Sequence, residues 1–181
     1  MIYKKTFWSL LLIIHIAFSG CVEKKSKPTT ATNLDKVLAE EINNSRIKYE
    51  INFPDTVFVQ EENYGLIKYQ SHYDSIITKF GDRDVNRFVR YIMLTTDTVN
   101  YDHKYLKNIV KDTFGASDNR NIYFMATFTK RGTYYIDGVI NDLIQIDLHK
   151  KNKEQYDLVR LLEDEVRVTK KVIVVNKDDS K

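Results

Sequence analysis

The stretch of sequence that decides the fold is residues 132–148, which read GTYYIDGVINDLIQIDL. This stretch is rich in β-branched and aromatic residues, which fit the pleated surface of a sheet. Turn-forming residues interrupt it only at Gly138 and at Asn141-Asp142. The pattern predicts a long strand over residues 134–148, with those two places as candidate breaks.

Shorter runs of the same composition lie on both sides of this strand and predict a mainly β fold. Residues 88–94 are apolar at both alternating sets of positions, which predicts a central strand covered on two faces. Residues 166–175 alternate as a closing strand or as a tight hairpin around Lys170-Lys171, and residues 154–164 fit either helix or strand. The remaining strand candidates are residues 56–59, 64–69, 74–78, 88–95 and 122–129.

Two segments carry helical patterns. Residues 32–35 match a capping pattern, and the apolar residues that follow predict a helix at the start of the domain. Residues 101–114 place apolar side chains on one stripe and lysines away from it, which predicts an exposed amphipathic helix. Because glycine and proline are scarce for the many turns of a pure sandwich, an α+β fold with an antiparallel sheet stays open as an alternative. The apolar stripe of the first helix consists of Leu34, Val37, Leu38 and Ile42.

The sequence Gly132-Thr133-Tyr134 at the start of a late strand resembles the tyrosine corner of immunoglobulin-like sandwiches. The resemblance implies an immunoglobulin-like antiparallel sandwich with an N-terminal helix and one or two accessory helices. The chain has a single cysteine, and its single tryptophan is Trp8. It therefore resembles the disulfide-free immunoglobulin-like domains of bacterial surface proteins.

The amino terminus has the features of a secretion signal. Lys4 and Lys5 precede an apolar run at residues 7–18, which is too short for a membrane-spanning helix of about 20 residues. The following Phe18-Ser19-Gly20-Cys21 resembles the lipobox of bacterial lipoprotein precursors.

This resemblance implies that diacylglycerol is added to the Cys21 thiol as a thioether, that the chain is then cleaved after Gly20, and that the new amino group is often acylated in turn, with fatty acids such as palmitate. We therefore expect a signal peptide at 1–20, a lipidated cysteine with a flexible tether at 21–32, and a single β-rich globular domain at 33–181. Val22 stands where some lipoproteins carry an aspartate that retains them in the inner membrane. The resemblance thus favours an outer-membrane anchor, with the periplasmic or surface orientation left open.

The net charge and the cysteine content indicate which partners and cofactors to expect. Removing Lys4 and Lys5 with the signal leaves 26 basic and 25 acidic residues. Such a neutral domain lacks the positive field that attracts nucleic acid, so we expect no nucleic-acid partner. With Cys21 consumed by lipid, the mature chain has no thiol for a disulfide or a metal cluster, and we expect no cofactor beyond the covalent lipid.

Candidate chemical groups in the sequence are dispersed. The three histidines of the mature chain are far apart, and only Asp147-Leu148-His149 places a carboxylate and an imidazole on one strand face. Residues 82–86 space three oxygen-bearing side chains as calcium loops do, but Arg87 stands where the sharp-turn glycine belongs, which favours a surface turn. Paired carboxylates at Glu61-Glu62, at Asp82 with Asp84 and at residues 163–165 are candidate acids and bases.

The leading hypothesis is a membrane-anchored lipoprotein with a non-enzymatic binding or structural role in the cell envelope. Its tyrosine-rich strands are candidates for a surface that recognises an envelope protein or a glycan, because tyrosine combines a large ring with a polar tip. Two alternatives stay open. One is a small envelope hydrolase with dispersed acid and base residues, and the other is an inhibitor or immunity-type lipoprotein with a protruding loop or apolar patch.

Overall fold

The computed structural model describes residues 44–99, 102–109 and 112–180, together with residues 36 and 40. The described part is mainly β. The α-helix α1 (His103–Ile109) and two short 3-10 helices, His72–Ser75 and Lys177–Ser180, accompany the strands, and residues 36, 40 and 44 are also helical. The strands are β1 (Ile47–Asn52), β2 (Thr56–Phe58), β3 (Asn63–Ser71), β4 (Val85–Thr96), β5 (Asp112–Gly115), β6 (Asn121–Ala126), β7 (Gly132–Lys151) and β8 (Asp157–Val175).

The strands form two sheets. The smaller sheet has the order β1-β3-β6 and is antiparallel throughout. The larger sheet has the order β2-β8-β7-β4-β5, and only the short pairing of β2 with β8 is parallel. The long strand predicted from residues 132–148 is β7, which lies at the centre of the larger sheet.

The hydrophobic core lies between the two sheets. Alternate residues of β3 and β6 in the smaller sheet, such as Ile67 and Phe124, pack in one cluster with residues of the larger sheet such as Tyr91 and Ile140. Each of these four side chains is at most 2% exposed. The mainly β, two-sheet prediction is therefore confirmed.

Strand β7 is continuous through the residues that were expected to interrupt it. It runs without interruption through Gly138 and Asn141-Asp142, so the candidate breaks at these residues do not occur. Tyr134 is the third residue of the strand, and its ring centroid lies 5.4 Å from that of Phe128. Gly138, Asn141 and Asp142 therefore lie inside the strand and do not end it.

Several local predictions were wrong. Residues 74–78 are not a strand, because Ser71 caps a 3-10 helix by accepting a hydrogen bond from the backbone of Tyr73. Of the two alternatives for residues 166–175, the closing strand is confirmed and the hairpin at Lys170-Lys171 is not, since β8 continues to Val175. Strand β4 is covered on only part of its second face, where Phe88 is 47% exposed.

The helices predicted from the sequence are present only in part among the described residues. Of residues 101–114, the helix occupies His103–Ile109, and residues 112–115 form β5 against β4. Residues 154–164, for which the sequence allowed helix or strand, begin in a turn and join β8 at Asp157. In the N-terminal helix predicted from residue 32, the described positions Lys36, Glu40 and Asn44 are helical, and the rest lies outside the described residues.

Candidate functional site

The outer face of the smaller sheet carries two prominently exposed tyrosines. Tyr64 on β3 and Tyr123 on β6 are 69% and 60% exposed. The register places Tyr64 opposite Met125 and Leu66 opposite Tyr123, so the four side chains form one contiguous group. We call Tyr64, Leu66, Tyr123 and Met125 the tyrosine face.

The strand period explains why these rings face outward. Their neighbours along the strands, Gly65 and Ile67 on β3 and Ile122 and Phe124 on β6, are buried in the core. Since side chains alternate between the two faces of a sheet, Tyr64 and Tyr123 must point away from the core. The tyrosine face thus lies on two strands that pair with each other, with β6 at the edge of the smaller sheet.

Charged groups border the tyrosine face. The Tyr64 hydroxyl donates a 2.6 Å hydrogen bond to Oε2 of Glu62, and this bond together with the nearby negative charge raises the pKa of the phenol. Lys68 lies next along β3 and pairs in register with Glu50 on β1. An apolar, aromatic centre with a charged rim is the usual anatomy of a binding surface.

A second feature is a cavity of about 270 Å³ between α1 and the outer face of the larger sheet. At its floor Asn141, 1% exposed, donates through Nδ2 to Oε1 of Glu163 at 2.6 Å and of Glu165 at 3.0 Å. Its Oδ1 accepts from Nε of Arg90 at 3.1 Å. Lys107 of α1 forms an ion pair with Glu165, which ties the helix to the sheet.

Of the three predicted carboxylate groups, the structure brings Glu163 and Glu165 to one amide and gives Glu61 and Glu62 different partners. Nδ2 of Asn141 donates hydrogen bonds to Oε1 of both Glu163 and Glu165, which holds these two carboxylates close to each other. Glu61 instead pairs with Lys177 at 2.9 Å, while Glu62 binds Tyr64. The sequence analysis missed Asn141 because its contact with β8 depends on the register of two strands.

A buried ionic cluster closes one end of the core. Nε and Nη2 of Arg87 donate to both carboxylate oxygens of Asp142, at 2.9 and 2.7 Å, and neither side chain is exposed. Nη1 of Arg87 donates to Asp74 and to the carbonyl oxygen of Ile77, each at 2.7 Å. Burial raises the pKa of Asp74, but hydrogen bonds from Arg120 and Arg87 outweigh burial and hold that pKa below its usual value. The two arginines of this cluster form ion pairs with the two aspartates, so the cluster stabilises the contact between the elements that carry them.

His72 and His149, the two histidines of the predicted domain whose side chains the structure describes, lie beside different carboxylates. His72 lies 3.3 Å from Oδ2 of Asp164 through Nδ1, at the edge of the core. His149 is 68% exposed, lies 3.7 Å from both Asp147 and Asp84, and has a positive φ near the end of β7, where the pairing with β8 shifts register. The side chain of His103 lies outside the described residues. The predicted approach of Asp147 to His149 is present, at an exposed strand end.

The acidic turn before β4 uses its oxygens internally. Oδ1 of Asp82 accepts hydrogen bonds from the backbone of Asp84 at 3.0 Å and of Val85 at 2.9 Å, and these bonds lower the pKa of Asp82. The turn interpretation of residues 82–86 agrees with this geometry. Among the described residues, no group of three or more His, Cys, Asp or Glu side chains is arranged to hold a metal ion.

The predicted lipidation site lies elsewhere in the chain. Gly20, Cys21 and the whole signal segment are outside the described residues. No helix within the described ranges has the length and apolar character needed to cross a membrane. The lipid anchor at Cys21 therefore rests on the sequence.

No protein-family model matches the chain, and no curated protein is significantly similar to it.

Proposed function

We propose that this protein is a lipid-anchored lipoprotein of the bacterial cell envelope, located at the outer membrane, whose domain acts by binding an envelope partner. The observation that carries the binding role is the tyrosine face. Tyrosines anchor many protein and glycan interfaces, because they bury a large rigid ring at low entropic cost and keep a polar tip for hydrogen bonding.

The domain supports recognition better than catalysis. The carboxylates Glu163 and Glu165 are both bound by Asn141, and Lys107 neutralises one of them. Groups already engaged in this way are poorly placed to transfer protons to a substrate. The tyrosine face, by contrast, presents two large rings to solvent with their backbone fixed by neighbouring strands.

The anchor is tested by replacing Cys21 with serine. We expect the wild-type protein to incorporate radiolabelled palmitate and the Cys21→Ser variant to incorporate none, because serine has no thiol to form the thioether. Ser26→Ala, a change within the predicted tether, should leave the labelling intact. Equal labelling of wild type and Cys21→Ser would disprove lipidation at this residue.

The binding role is tested with the double variant Tyr64→Ser/Tyr123→Ser. We expect capture of the envelope partner from solubilised membranes, or of isolated envelope glycan, to fall about tenfold or more, since truncating two anchor rings removes over about 1.4 kcal/mol of binding free energy. The stability of the domain should change little, because both rings are exposed.

Tyr156→Ser provides the matched control for this experiment. Tyr156 is 71% exposed but precedes β8 at the far end of the larger sheet, away from the tyrosine face. Its removal should leave partner capture unchanged. If the double variant and the control captured the partner equally well, the tyrosine face would not be the binding surface.

A further inference from the structure

Strands β7 and β8 continue beyond the rest of the larger sheet as a two-stranded hairpin. Strand β4 pairs with β7 only as far as Ile146, whereas β7 and β8 pair on to Lys151 and Asp157. We call residues 148–161 the hairpin tip. All of its residues except Asn152 are exposed, and no third strand pairs with it within the described ranges. The hairpin tip therefore projects from the domain.

The hairpin tip exposes apolar side chains on both of its faces. Tyr156 and Leu161 are 71% and 60% exposed, and Leu158 and Val159 are 38% and 42% exposed. Since successive residues of a strand point to opposite faces, Leu158 and Val159 lie on opposite sides of the hairpin. A partner that covers only one face leaves the other in water. Lipids at a bilayer surface close around an inserted element and cover both faces at once.

The charges of the hairpin tip also match a bilayer surface. It contains four lysines and arginines against two acidic residues, a formal charge of +2 with histidine neutral. The basic residues are Lys150, Lys151, Lys153 and Arg160. Lysine and arginine lay their apolar stems along a hydrophobic surface while their charged ends reach lipid phosphates. The hairpin tip thus combines an aromatic ring, aliphatic side chains and basic residues, as segments that lie in membrane interfaces do.

The chain enters the domain at the end from which the hairpin tip projects. Nε of Arg46, just before β1, forms an ion pair with Asp164 of β8 at 3.2 Å, and the Tyr49 hydroxyl donates to the carbonyl of Arg167 at 2.9 Å. Strand β1 therefore runs beside β8 in the same direction, and its first residue lies towards the hairpin. The segment between Cys21 and Arg46 joins the predicted lipid to this end of the domain.

The predicted tether is long enough for the hairpin tip to reach the bilayer. Residues 22–32, when extended, span up to about 36 Å. Asp157, the first residue of β8, lies seven residues before Asp164, which puts the hairpin tip about 23 Å beyond the level of Asp164. The tether therefore exceeds the projection of the hairpin. A group held this close to a membrane meets it at a high effective concentration, so a weak insertion suffices.

We propose that the hairpin tip inserts into the headgroup region of the bilayer to which Cys21 anchors the chain. The contact rests on the proposed function, because the lipid anchor holds the hairpin tip near the bilayer. The open backbone edges of the hairpin limit its depth, since unpaired N–H and C=O groups are not tolerated in the hydrocarbon region. The tyrosine face stays accessible to its partner, because its Leu66 pairs with Asn52, the last residue of β1, away from the hairpin tip.

Quenching of tryptophan fluorescence by brominated lipid tests the insertion. Replacing Trp8, the only tryptophan, with phenylalanine makes Tyr156→Trp a single probe in the full chain. The protein is purified from membranes and reconstituted into vesicles of phosphatidylethanolamine, phosphatidylglycerol and phosphatidylcholine, with bromine on the acyl chains of the phosphatidylcholine. Bromine near the glycerol backbone should reduce the fluorescence of Tyr156→Trp about twofold or more, and bromine near the methyl ends much less, because the ring lies at headgroup level.

Tyr64→Trp in the same background is the matched control. Tyr64 is 69% exposed, close to the 71% of Tyr156, but it lies on the tyrosine face. Its fluorescence should not change with bromine. An unquenched Tyr156→Trp would overturn the insertion. Equal quenching at both positions would overturn it as well, because the domain would then lie on the lipid without a preferred orientation.

The mass of the purified chain reports the anchor separately. Trp8→Phe leaves a single tryptophan whether or not residues 1–20 are removed, so the quenching is read in either case. A lipidated chain with an unquenched probe would overturn the hairpin contact and leave the anchor intact. An unlipidated chain with a quenched probe would overturn the anchor, while the membrane contact of the hairpin tip would hold.

Discussion

Replacing Asp142 with alanine is expected to lower the free energy of unfolding by about 3–5 kcal/mol, because it leaves the guanidinium of Arg87 buried without its main counter-charge. Asp142 accepts two hydrogen bonds from Arg87, at 2.9 and 2.7 Å, and both side chains are fully buried. Asp74 and the carbonyl of Ile77 would then be the only groups of this cluster facing the guanidinium.

The loss of stability is measured by urea unfolding, followed by far-UV circular dichroism because the domain lacks tryptophan. Asp84→Ala is the control, since the side chain of Asp84 is 64% exposed and its removal should change stability by less than about 0.5 kcal/mol. If Asp142→Ala lowered the free energy of unfolding by less than about 1 kcal/mol, Asp142 would not be needed to stabilise the buried charge of Arg87.

A second variant separates the buried charge from the packing. Arg87→Met/Asp142→Leu removes both charges and fills a similar volume, and it should recover much of the stability lost in Asp142→Ala. Asp74 keeps its ion pair with Arg120 in this variant. A double variant as unstable as Asp142→Ala would indicate that the hydrogen-bond geometry, and not the unpaired charge, stabilises this end of the core.

The strands with a distinct composition were predictable from sequence. Runs rich in β-branched and aromatic residues mark β3, β4, β6 and β7. Strand β1 was missed although the signal was present, since Ile47, Tyr49 and Ile51 alternate with polar residues. A strict count of period-two positions would have found it.

The interior charges could not be predicted in the same way. Arg87 and Arg167 look like solvent-facing strand residues, yet both are buried, and their partners Asp142 and Asp137 lie 55 and 30 residues away. A single sequence does not show which strands are neighbours or in which register they pair. For the same reason the tyrosine-rich strands were recognised as candidate binding elements, while the assignment of Tyr64 and Tyr123 to one open face required the structure.

Gly138 illustrates how a correct local rule gave a wrong result. Glycine in a strand pattern marks either a bend or a close approach of another backbone, and the sequence pattern indicated a candidate break at this position. In the structure a Cβ on Gly138 would lie 2.5 Å from the carbonyl oxygen of Ile92 and 2.7 Å from the ring of Tyr91. The glycine is therefore required for space inside the larger sheet, where β4 and β7 pack against the core.

Gly138→Ala is accordingly expected to destabilise the domain by about 1–3 kcal/mol, towards the upper end because the nearest obstacle is a backbone oxygen that cannot rotate away. Gly115→Ala is the matched control: Gly115 also lies in the larger sheet, and a Cβ there would meet nothing within 4 Å. Its substitution should be neutral or slightly stabilising. Urea unfolding measures the difference in the free energy of unfolding between the two variants. Equal values would mean that β4 and β7 can move apart at Gly138 without cost, which would contradict the close packing of these two strands.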